Sequence, residues 1–277
     1  LAPAAVEVTT FHQLCRDLAE RNGEKLDFSD PDVFGKMVSD YVDASEGFTK
    51  SIDLLIIDES QDFEPLWAQA VLERLKDTGR LYVMGDTGQQ LYERETFDLT
   101  DAVHVTCMDN FRSPTKVVQM INRLGLTADP IEARSVHAGE TPHFYTWAPG
   151  QVTSLHALDQ CLKKLWEDGY TPEQVAVISY HGVKSSEALA QEKLGGFKTK
   201  RFSGYDEAGN ALWTEGALLV DSVYRYKGQS MPVVVLCEID FEELTEKDKR
   251  KLFVGLTRGQ VRVDIVISEK SALQLFQ

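Results

Sequence analysis

Five short segments carry residue types suited to phosphate chemistry. LLIIDESQDF, residues 54–63, ends an apolar run in two adjacent carboxylates, Asp58 and Glu59, followed by Gln61. In α/β folds ligands sit at the carboxyl ends of strands. There an Asp can hold a magnesium ion through water, and a Glu can take a proton from an attacking water. The same pair also suits a strand that simply exits into an acidic loop. LYVMGDTGQQLY, residues 81–92, ends a second apolar run in Gly85-Asp86, with Gln89 and Tyr92 beyond. Glycine permits close backbone approach, and a glutamine amide can contact a phosphate oxygen. DNFRSP, residues 109–114, sets Arg112 beside an expected helix N-terminus, where backbone N–H groups favour anions. Arginine can stabilise a transferring phosphoryl group. SVYRYKGQSMPVVVL, residues 222–236, places a Tyr/Arg/Lys cluster and Gly228 before an apolar run. KLFVGLTRGQ, residues 251–260, reads as a helix ending in Thr257-Arg258 with Gly259 as its C-cap. Arg258 there equally suits a cation that complements the helix dipole.

These residues need elements to hold them. Short apolar runs predict strands at 52–57, 80–84 and 103–107 in the first part of the chain, with helices at 64–76 and 114–124. Ser113 is the expected N-cap of the second helix, with Pro114 at its first position. Further on, strands are expected at 143–147, 174–180, 217–221, 232–238 and 261–267, and helices at 151–168, 183–193, 242–254 and 270–276. Residues 203–216, rich in Gly and polar side chains, read as a surface loop or hairpin. Buried strands alternating with helices predict an α/β fold with parallel sheets.

The 277 residues are 43% hydrophobic and 26% charged, which excludes disorder as the main state and allows a sizeable core. No apolar run approaches the roughly 18 residues of a membrane span, and no signal-peptide pattern opens the chain. The four cysteines are scattered without a CxxC pair, which points to a reducing cytoplasm and away from a structural zinc or disulfide framework. The formal charge is −15. Residues 1–110 hold 9 basic and 23 acidic side chains, net −14, whereas residues 111–277 hold 20 and 21, net −1. Taken alone, this acidity argues against a phosphate-rich partner. Its unevenness suggests two domains, 1–107 and 108–277.

Taken in order, TTFH, DExQ, GDxxQxxY, NFRS, KG before a strand and LTR after a helix resemble superfamily-one helicases of the UvrD/Rep type, from residue 8 to about 268. The resemblance implies two RecA-like parallel-sheet domains of the P-loop NTPase type, the first incomplete, with ATP and Mg2+ as cofactors. It implies that Asp58 holds the magnesium, Glu59 activates the hydrolytic water and Gln61 couples nucleotide state to DNA. Gln89 would sense the γ-phosphate, Phe111 would stack on the nucleotide base, and Arg112 and Arg258 would reach the γ-phosphate. Lys227 and Gly228, with Tyr224, belong to the motif linking ATP to the DNA backbone. Thr10, His12 and Tyr92 would meet single-stranded DNA.

The sequence departs from that family in several places. No GxxxxGK[ST] loop occurs in the chain. The resemblance puts it upstream of Leu1, on a further segment of the same protein, which makes these residues a piece of a longer one. Ser230 stands where the family has a ribose-contacting Glu, Arg94 and Glu95 where it has an aromatic and an arginine, and Tyr224 where it has a His. The expected function is an ATP-dependent helicase or translocase on single-stranded or partly duplex DNA, with RNA equally compatible and no membrane partner. The 277 residues alone are expected to turn over little ATP. The alternative is a degenerate helicase-like module that binds DNA or protein without motor activity.

Overall fold

The computed structural model describes residues 6–91, 99 and 101–276, and the chain divides into two compact units. The first comprises residues 1–87, 92–102 and 203–212, and the second 88–91, 103–202 and 213–277. Tyr92, Arg94 and Glu95 lie outside the described residues.

In the first unit, helices α1 (Phe11–Arg21) and α2 (Val33–Ala44) pack with α3 (Pro65–Leu72) around Phe11, Cys15, Met37, Tyr41, Ala70 and Val71. Thr10 caps α1, its hydroxyl accepting the Gln13 N–H at 3.1 Å. Strands β1 (Ile52–Ile57) and β2 (Leu75–Val83) form a two-stranded parallel sheet, with Ile56 beside Tyr82. The strand expected at 80–84 begins five residues earlier, at Leu75. The helix expected over 64–76 stops at Leu72, because the chain turns at residues 73–74 to enter that strand.

The second unit carries β3 (Asp109–Asn110), α4 (Thr115–Arg123), β4 (Glu132–Ala133), β5 (His143–Trp147), α5 (Ser154–Glu167), β6 (Val175–Ser179), α6 (Glu187–Ala190), β7 (Lys193–Leu194) and β8 (Phe197–Lys200). A hairpin of β9 (Phe202–Tyr205) and β10 (Ala211–Trp213) follows, of which residues 203–212 count with the first unit. The chain ends with β11 (Leu218–Ser222), β12 (Met231–Ile239), α7 (Glu246–Leu256), β13 (Gly259–Ser268) and α8 (Glu269–Leu275). The main sheet has seven strands in the order β5-β13-β12-β6-β11-β8-β7, parallel except at the β7–β8 edge. The fold is mixed α/β.

The central strands are continuous apolar runs because both faces are covered, as parallel sheets require. On one face Ala176, Ile178, Val234, Leu236 and Ile265 meet Val117 and Ile121 of α4 and Leu252 and Leu256 of α7. On the other, Val175, Val177, Val233 and Val235 meet α5 through Ala157, Leu158, Cys161, Leu162 and Leu165, which form one stripe at helical spacing. Arg262 is buried on β13, where its guanidinium binds Asp264 at 2.9 Å and Asp168, just beyond α5, at 2.8 Å. The strand expected at 103–107 is absent among the described residues, and the helix expected at 183–193 shrinks to α6, since the chain must turn at Gly195-Gly196 into β8.

Candidate nucleotide-handling residues

At the end of β1 the chain makes a sharp turn. Glu59 takes a left-handed conformation, φ 51°, one of two described non-glycine residues with positive φ. Such backbone costs a residue with a side chain free energy and marks an imposed geometry. Asp58 stands exposed beyond the strand, accepting the Glu59 N–H at 2.9 Å. Gln61 is buried and bridges two loops: its amide donates to Glu59, and its oxygen accepts the Asp86 N–H at 2.9 Å. Gly85 lets those loops meet, since a Cβ there would fall 2.3 Å from Ser60 Oγ. The DExQ and GD segments of the first unit are thus one hydrogen-bonded corner. A single outward carboxylate such as Asp58 fits a magnesium ion that keeps waters and takes phosphate oxygens. Among the described residues no three His, Cys, Asp or Glu side chains gather as a protein-only metal cage.

The expected DNA contacts of the first unit have structural work of their own. The Thr10 hydroxyl caps a helix. His12 lies exposed at the rim of an aromatic cluster, edge-on to Trp67 at 5.3 Å and Phe34 at 5.9 Å.

In the second unit, four segments distant in sequence meet in pairs. Gln89, in a 3-10 turn at 87–89, accepts a hydrogen bond from Arg258 Nη2 at 3.0 Å. Arg258 is only 2% exposed, and its Nε donates to the Val254 carbonyl at 3.0 Å. It therefore closes the last turn of α7 as a helix-end cation does while also reaching Gln89. Gly259 does not cap that helix: Thr257 does, in ordinary helical conformation, and Gly259 opens β13. Arg112 Nη2 donates to the Gly228 carbonyl at 3.4 Å, and Gly228 has φ +82°, a conformation that favours glycine. Phe111 projects into solvent, 70% exposed.

The N-terminus of α4 differs from expectation. Pro114 is its N-cap, and the buried Ser113 hydroxyl has no hydrogen-bond partner among the described residues. Asn110 instead accepts the N–H groups of Arg112 and Ser113, while the first helical N–H groups, of Thr115 and Lys116, go to the carbonyls of His137 and Ala138. With those donors taken, the pull on an anion there rests on the Arg112 side chain.

Tyr224 and Lys227 lie in the turn that follows β11, held by Val223 N–H on Ser179 O and Tyr226 N–H on Ser222 O, both 2.9 Å. Tyr224 packs partly against the core, and Ser230 accepts a hydrogen bond from Gln260 at 3.0 Å.

Two carboxylates escaped the sequence reading. Asp221, next to last in β11 and just before the turn that follows it, is 1% exposed, and its carboxyl is held up by burial, against the opposing Ser222 N–H and Arg225. Beneath the same turn Tyr226 is pushed up to about 12 by burial, with Arg258 opposing. Glu238, at φ 60° near the end of β12, is buried and accepts hydrogen bonds from Ser179, Ser186 and the Ala188 N–H, fixing the start of α6. A carboxylate at the end of an apolar run was the available signal for both, as it was for Asp58.

Residues 217–266 match the family model of the UvrD-like helicase C-terminal domain. The matched stretch includes Tyr224, Lys227, Gly228 and Arg258. No curated protein matches the chain. Among solved structures, the C-terminal domain of a possible DNA helicase from Lactobacillus plantarum WCFS1 is similar at 13% identity and TM-score 0.39, covering 57% of this chain and 87% of that one. The chain is helicase-like in this region. Among the described residues no helix is long and apolar enough to cross a membrane.

Proposed function

We propose that this chain belongs to an ATP-dependent DNA helicase or translocase with two RecA-like domains. The observation that carries the reading is the pairing of Arg258 with Gln89 at 3.0 Å, which joins a helix-end arginine to the glutamine expected to sense the γ-phosphate. ATP and Mg2+ are its cofactors, and the ion would neutralise phosphate charge as the terminal bond breaks. Asp58 would hold that ion. Glu59, aimed by its left-handed backbone and braced by Gln61, takes the proton of the attacking water. Arg112 and Arg258 neutralise charge on the transferring group, a contribution of roughly 10³–10⁵ in rate for such arginines. Gln61 links this corner to the Asp86 loop, and the turn carrying Tyr224, Lys227 and Gly228 grips the DNA strand. A GxxxxGK[ST] loop from another segment of the protein supplies the phosphate cradle.

The test is magnesium-dependent ATP hydrolysis stimulated by oligo(dT). In a protein that includes the phosphate loop, Arg258→Ala and Glu59→Gln each lower kcat by about 10²-fold or more. Unchanged turnover in either variant overturns its assigned role. Residues 1–277 alone are expected to hydrolyse little ATP, and robust turnover by them would refute that. DNA binding without hydrolysis by the longer protein would favour the binding-module reading, which the substitution of Ser230 for the family's Glu supports.

A further inference from the structure

The edge of the main sheet carries a strip that none of the helicase motifs includes. Residues 193–201, KLGGFKTKR, hold four basic and no acidic side chains in a chain of net charge −15. Lys193 pairs across the β7–β8 hairpin with Lys198, so the two share a face, and Lys200 follows two residues along on that same face. Like charges placed opposite one another destabilise a strand pair. All three lysines are exposed, and none forms an ion pair among the described residues. Arg201 is different: its guanidinium turns inward to the Leu189 carbonyl at 2.8 Å.

The lysines do not stand alone. Lys200 Nζ lies 5.7 Å from the ring centre of Trp213, which is edge-on to Phe202 at 5.8 Å, and Arg225 covers Phe202 at 4.0 Å. Trp213 remains 37% exposed. Two rings flanked by cations therefore run from the sheet edge to Arg225, which neighbours Tyr224 in the turn after β11. Resting on the nucleic-acid reading above, we propose that this strip is a second binding track for single-stranded DNA, continuous with that turn. Lys193, Lys198 and Lys200 meet phosphates, and Trp213 offers a face to a base. A charged groove with interleaved aromatics is how a strand is held without sequence preference.

The experiment is binding of fluorescein-labelled dT20 to the full 277-residue chain across a salt series, with a duplex of equal length and U20 as further probes. The Lys193/Lys198/Lys200→Ala triple variant should lower the slope of log affinity against log salt by about 2, near 0.7 per lost phosphate contact. Trp213→Ala should weaken dT20 binding roughly 5- to 150-fold, and Trp213→Phe should recover part of it. Wild-type affinity and slope in the triple variant, with a loss in Tyr224→Ala, would overturn the strip and leave the reading of the turn intact. A loss in the triple variant with none in Tyr224→Ala would support the strip while overturning the role given to the turn. Losses confined to the duplex or to U20, or a wild-type chain that binds no dT20 at low salt, would overturn the strip as a single-stranded DNA site.

Discussion

Strand β1 of the first unit and strands β6 and β12 of the second are similarly apolar runs, but they are buried differently. In the second unit, helices cover both faces of β6 and β12, and Leu236 is fully buried. In the first, Leu55 packs on the helical cluster and Ile57 is buried, while Leu54, Ile56, Tyr82 and Met84 are about half exposed. An apolar run therefore reports what a strand can bury, and burial itself depends on which layers are present. The contrast predicts the largest effect. Leu236→Ala should cost about 2–5 kcal/mol in equilibrium urea unfolding through lost contacts and the cavity left behind. Ile56→Ala, already half in water, should cost less than about 1 kcal/mol by the area it still buries. An equal cost at both positions would show that the Ile56 face is covered in solution.

The two corners that carry the candidate site also differ in how glycine serves them. Gly85 needs no unusual backbone, but its missing Cβ leaves room for Ser60 Oγ. Gly228 has open space around it and needs its glycine only for φ +82°. Gly85→Ala and Gly228→Ala should each cost about 1–2 kcal/mol, the first by crowding and the second by strain. Adding Ser60→Ala should recover most of the first loss, read as thermal midpoint. Failure of that rescue would place the crowding at Gln61 Oε1, 3.1 Å from the same Cβ position.

Much of this was legible in the residues themselves. Strands β5, β6, β11, β12 and β13 fall within two residues of expectation, and for β6 and β12 the reason is that buried parallel strands are written as apolar runs. Residues 103–107 alternate apolar and polar side chains without becoming a strand, since pairing depends on a partner that local pattern does not encode. The Gly195-Gly196 turn outweighs the helical pattern on its N-terminal side. Arg258 and Gln89 could each be picked out by motif, but their contact joins residues 169 positions apart and no local rule predicts it. Likewise Ser113 looked like a cap by type, while Asn110 and two carbonyls from residues 137–138 satisfy those N–H groups instead.

Asp58 and Asp221 sharpen the comparison at its finest grain. Each lies at the carboxyl end of an apolar strand, but Asp58 is exposed and Asp221 is 1% exposed, with one carboxylate oxygen lacking a hydrogen-bond partner among the described residues. Burial raises the Asp221 carboxyl above its ordinary value of 3.8, so the folded state binds that proton more tightly than the unfolded chain does. The ionised group therefore weighs against folding at neutral pH. That penalty disappears as pH falls through the folded value toward 3.8, where the acid is protonated in both states. Asp221→Asn should then raise stability at pH 7–8, where the buried group is ionised in the native protein. The gain should shrink steadily on acidification. Asp58→Asn should change stability by less than about 0.5 kcal/mol, as exposed substitutions do. Thermal melts of both variants from pH 4 to 8 decide the matter. A loss of stability in Asp221→Asn at pH 7 would mean that the Ser222 N–H and Arg225, 3.8 Å away, outweigh the cost of burying the charge.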